Sequence, residues 1–71
     1  MNWFKKIISS VDFKIISYNY TYNQMTVSIN GIIYRYSNIS PYIAEKIKKV
    51  SKFAPGKAIQ ILRNFPFEKG L

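Results

Sequence analysis

Apolar positions recur along this chain with two different periods, and each change of period marks a boundary between elements. Trp3, Phe4, Ile7, Ile8 and Val11 fall at helical spacing, with Asn2, Lys5, Lys6, Ser9 and Ser10 on the opposite side. The spacing predicts a short amphipathic helix over 2–10. Nine residues are too few to hold a helix in water unaided, so its apolar stripe must dock on something. From residue 12 the pattern turns extended. Phe13 and Ile15 alternate, then Ile16, Tyr18 and Tyr20 alternate, and the phase changes between Ile15 and Ile16. A bulge would produce that change; so would a strand covered on both faces. Met25, Val27 and Ile29 then alternate with Thr26, Ser28 and Asn30, the clearest strand pattern in the chain.

Asn30-Gly31 predicts a two-residue type I′ hairpin turn, which needs positive φ at both positions. That loop sets the register: Ile29 opposite Ile32, Val27 opposite Tyr34, Met25 opposite Tyr36. Opposed residues share a sheet face, so Tyr34 and Tyr36 join the apolar face and Arg35 points to the other. Ser40-Pro41 predicts a helix start, with Ser as N-cap and Pro in the first turn. Ile39, Ile43, Ile47 and Val50 form its stripe, and Glu45 can pair with Lys49 four residues on. Pro55-Gly56 breaks it, a second helix is expected over about 56–64, and Pro66 ends that one. The tail 66–71 is expected to fray.

The expected architecture is therefore α+β: a short N-terminal helix, a three-stranded antiparallel meander, then two C-terminal helices packed on one sheet face. The chain of 71 residues forms one domain, with its core over about 9–65. So short a chain buries only about 60% of its unfolded surface, and it holds no cysteine or histidine to supplement the core with a disulfide or a zinc site. Self-association is the expected remedy. No apolar run approaches the ~18 residues of a spanning helix, and no secretory signal is visible. The expected location is the cytoplasm, away from any membrane.

Charge narrows the ligand class. Eleven Lys and Arg face three Asp and Glu, a net of +8, which favours anionic partners. Most of the excess lies beyond residue 34. Catalysis is not expected. Asp12, Glu45 and Glu68 are scattered and unpaired by any helical spacing, and without His or Cys only Tyr and Lys remain as candidate catalysts. No cofactor is expected.

Two constellations suit a phosphorylated ligand. The Pro55-Gly56-Lys57 turn offers backbone N–H groups, a helix start and a lysine, and Arg63 follows six residues on. Lys52 and Arg35 are further phosphate contacts. Aromatic rings interleave with these charges. Tyr20, Tyr22 and Tyr36 are the expected stacking surfaces for bases, although the hairpin register turns Tyr36 toward the core. Trp3, Phe4 and Ile7 are the expected contacts to another subunit or a partner protein.

Several of these features also occur together in a known family. Residues 9–65 resemble the KTSC domain, found at the C-terminus of some lysyl-tRNA synthetases and alone in small bacterial and phage proteins. The likeness rests on Ser9-Ser10, Tyr18, the hairpin Gly31, Tyr34-Arg35-Tyr36, Pro41-Tyr42, Ser51 with Gly56, and Arg63. The sequence departs from the family pattern where Phe53-Ala54-Pro55 separates Ser51 from Gly56. The resemblance implies an α+β fold and no established reaction.

Together these readings lead to a non-catalytic binder of nucleotide-type phosphates. One form is an oligomer that sequesters a small signalling nucleotide, as a phage anti-defence sponge would in the host cytoplasm. Another binds RNA or single-stranded DNA. A different reading is a protein–protein module that inhibits a host factor.

Overall fold

Asn30-Gly31 does set the hairpin: both residues have positive φ, 51° and 83°, the mirror-image turn that matches strand twist. In the computed structural model, which describes residues 11–70, this turn joins β2 (Gln24–Ile29) to β3 (Ile32–Tyr36). Met25 pairs with Tyr36, Val27 with Tyr34 and Ile29 with Ile32, the register expected from a two-residue loop. β1 (Phe13–Asn19) pairs with β2 on its other side. Its register shifts between Ile15 and Ser17, so Ile16 is the bulged residue and stands 54% exposed. The phase change in the apolar pattern is thus a bulge, with no second covered face.

The N–H groups at the start of α1 (Pro41–Phe53) are handled as the Ser40-Pro41 pair predicts: the Ser40 hydroxyl accepts from the Ile43 N–H at 3.2 Å. The helix ends at Ala54, and α2 (Pro55–Leu62) turns back from it. Both helices cover one sheet face. Met25 and Val27 from β2 meet Ile39, Ala44, Ile47, Ala58 and Leu62, all fully or nearly fully buried. Each residue of Leu or Ile size in this layer stabilises the fold by about 1.5–3 kcal/mol. Among the described residues no helix is long and apolar enough to cross a membrane.

The expected architecture needs correcting. Among the described residues the strands come first, and the sheet has four strands in the order β1-β2-β3-β4, not three. The fourth is β4 (Phe67–Lys69), in the tail that was expected to fray. It runs antiparallel to β3, with Tyr36 opposite Phe67 and Arg35 opposite Glu68. Backbone bonds from Ser37 N–H to the Pro66 carbonyl and from Gly70 N–H to the Ile33 carbonyl, both 2.9 Å, hold its two ends. The helix expected over 2–10, with its contacts Trp3, Phe4 and Ile7, lies outside the described residues.

Candidate functional site

The outer surface of the helix pair carries most of the ungrouped positive charge. Glu45 pairs with Lys48 at 3.5 Å, one turn position short of the expected Lys49. Lys49 instead borders an open groove of about 370 Å³ along α1, lined also by Tyr42, Glu45, Lys46 and Val50. A second groove of about 330 Å³ begins where this one ends, shares Lys46 and Val50 with it, and crosses to α2 at Lys57, Gln60, Ile61 and Asn64. The two form one shallow track with an apolar floor at Val50 and Ile61. Lysines rim it, and two carboxamides stand at its far end.

Tyr42 opens the track. It sits in the first turn of α1, held there by the Ser40 cap, and is 76% exposed. Tyr20 and Tyr22 occupy the same end of the molecule. The Asn19 side chain accepts from the Thr21 and Tyr22 N–H groups at 2.9 and 3.2 Å, and Asn23 closes the turn with a φ of 54°. The Asn23 carbonyl in turn accepts from the Ile39 N–H, just ahead of α1. This local bonding leaves the rings of Tyr20 and Tyr22 largely in solvent, at 67% and 70% exposure. Tyr20 also meets Tyr18 edge-on, with ring centroids 4.7 Å apart.

Other expected site residues are not brought together. Arg35 lies on the sheet face away from the helices, where it pairs with Glu68 at 2.5 Å; a carboxylate already occupies its guanidinium. Lys57 is on the opposite side of the sheet. Arg63 caps the far end of α2 and borders neither groove; its charge acts on the Tyr36 phenol. The convergence of Arg35, Lys57 and Arg63 on one ligand therefore does not occur within a chain. Lys52 is exposed in the last turn of α1 and also lies outside the track.

Tyr36 is corrected as a stacking surface. It is 5% exposed, and burial foremost raises its phenol pKa above the usual value. The nearby Tyr34 phenol pushes the same way, and Arg63 pulls against both. The Pro55-Gly56-Lys57 turn also differs from its expectation. The N–H groups of Lys57 and Ala58 both donate to the Ala54 carbonyl, at 2.9 and 3.3 Å, and proline has none to give. Gly56 is helical, and open space surrounds the position of a Cβ there. What remains useful at this turn is the lysine rather than a cradle of backbone donors.

Tyr42, Lys46 and Lys49 belong to the basic, tyrosine-bearing helix whose composition already suits bases and phosphates, whereas Gln60 and Asn64 were not among the expected site residues. The signal for the first three was present: a tyrosine at position 42 and lysines four and seven residues on share one helix face. Gln60 and Asn64 join them through the crossing of the two helices, which no local pattern encodes. No protein-family model, curated protein or solved structure matches the chain.

Proposed function

We propose that this protein binds single-stranded nucleic acid without catalysis, along the track that α1 and α2 share. The observation that carries this reading is the run of Tyr42, Lys46, Lys49 and Lys57 along a groove open to solvent over its whole length. An exposed ring gives a base a stacking platform whatever its identity, and spaced lysines follow a phosphate backbone. Tyr20 and Tyr22, at the same end as Tyr42, extend the aromatic surface. The bound strand stays largely in water, which suits a shallow track better than it suits a small nucleotide needing enclosure.

The test is fluorescence anisotropy of a labelled single-stranded oligonucleotide over a range of salt. Three lysine contacts predict a log–log slope of about −2, from roughly −0.7 per phosphate on a single strand. Replacing Lys46 and Lys57 together by Glu abolishes binding at moderate salt, whereas Lys14→Glu on β1 changes it little. Tyr42→Ala removes a stacking contact of about 1–3 kcal/mol, a loss of roughly 5- to 150-fold with the salt slope unchanged. Absence of binding at low salt overturns the reading. So does binding that ignores the double reversal, or a strand displaced by stoichiometric nucleoside triphosphate.

A further inference from the structure

Two aromatic residues stand exposed on α1: Tyr42 in its first turn and Phe53 at its last position. Tyr42, Lys46, Lys49 and Phe53 are spaced four, three and four residues apart, so all four share one helix face. A ring therefore bounds the lysine row at each end. Eleven residues separate the two, which along a helix is about 16 Å. Phe53 is the most exposed large apolar residue among those described, at 88%. The grooves lead to it as well. A third one, of about 400 Å³, lies over the α1–α2 junction, is lined by Phe53, Pro55 and Gly56, and shares Lys57 and Gln60 with the second. The track thus continues past Lys57 to the Phe53 ring, and among the described residues no carboxylate lines this last stretch.

We propose that Phe53 is a second base-stacking residue, and that the ligand is a single strand long enough to reach from Tyr42 to Phe53; this rests on the track being the single-strand site. So exposed a ring contributes little to the core, and its faces are open to a base. Charge selects the occupant. Lys49 lies one turn before Phe53, and Lys57 lines the same groove. A second copy of a chain with net charge +8 brings like charge to both, whereas a phosphate backbone brings the opposite. Stacking asks only for a π-face, so a second ring adds affinity without choosing a base. At a rise of roughly 3.4 Å per stacked base, the separation of the two ring-bearing positions is about five base steps, and fewer where lysines stretch the backbone. A dinucleotide has a single step and reaches one ring; an octanucleotide reaches both.

The test compares the intact protein with Phe53 variants, using anisotropy of a labelled octanucleotide of mixed sequence and NMR titration with a dinucleotide. Phe53→Ala should weaken the octanucleotide by roughly 5- to 150-fold, the worth of one stacked base. The salt slope should stay unchanged, and dinucleotide affinity should change little. Phe53→Tyr keeps the ring and should keep the affinity. Phe53→Leu is apolar but has no π-face, and should behave as the Ala variant. Circular dichroism and Tm should match the parent in all three, because the position is already in solvent. An octanucleotide that binds Phe53→Ala as tightly as the parent, while Tyr42→Ala weakens it, overturns this inference and leaves the track with one ring. Full binding by Phe53→Leu overturns stacking in the same way, and an equal loss for both lengths overturns the two-ring span. Absence of binding by the unaltered protein at low salt overturns the track reading itself, and this inference with it.

Discussion

The Tyr18 hydroxyl donates to the Ile39 carbonyl at 2.5 Å, joining residues 21 apart in sequence. Tyr18 ends on the edge strand β1, and Ile39 is the fully buried residue of the segment leading from β3 to α1. The same hydroxyl lies 3.3 Å from the Asn23 side-chain oxygen. One phenol therefore fixes where α1 departs relative to the turn that carries Tyr20 and Tyr22. Tyr18→Phe keeps the ring and leaves the carbonyl without this donor. The expected cost is about 1–2 kcal/mol, a fall in Tm of several degrees for a domain of this size. Thermal melts of the two proteins check this, and an unchanged Tm would remove the bond's structural role.

Tyr36 links stability to alkaline pH. Burial raises its pKa in the folded state, with a smaller push from Tyr34. Below the pH where a free phenol ionises, about 10, folded and unfolded chains are both protonated here and the stability is intact. Above it, the unfolded chain loses this proton first, so stability falls as pH rises toward the folded-state pKa. Tyr36→Phe removes that loss. In urea unfolding the variant should match the parent near neutral pH and exceed it near pH 11; equal curves at both pH values would show that Tyr36 does not carry the effect.

The short strand β4 is held by rings more than by charge. Phe67 lies 5.6 Å from Tyr34 and 5.4 Å from Tyr36, centroid to centroid, and such pairs contribute about 0.5–1.5 kcal/mol each. The Arg35–Glu68 pair is 38% and 64% exposed on its two sides, where an ion pair contributes about 0–1 kcal/mol. Phe67→Ala should therefore cost about 1–2 kcal/mol and Glu68→Ala less, with the latter difference shrinking in high salt. Chemical denaturation of the two variants decides the order; a larger effect at Glu68 would reverse the assignment.

Legibility in the sequence follows how local each cause is. The β2–β3 register depends on one dipeptide, Asn30-Gly31, and the α1 start on Ser40-Pro41, so both are readable from neighbours alone. The phase slip at Ile16 is visible too, although a bulge and a doubly covered strand leave the same pattern. β4 is not legible. Three residues after a proline carry no period, and what orders them is Tyr34, Tyr36 and Arg35, about thirty positions earlier. The candidate site divides the same way. Lys57 is recognisable beside its helix break, and Arg35 is correctly assigned to the open face. Glu68 as the partner of Arg35, and Gln60 beside Lys46, depend on how separate elements meet.

The bulge at Ile16 also bears on how these molecules behave when crowded. β1 is an outer strand of the sheet, its far side unpaired among the described residues. A foreign strand arriving there meets a ladder whose spacing is broken midway and a ribbon bent out of line, with Lys14 two residues before the kink. Growth of a fibril needs an unbroken, flat template, and this edge denies one.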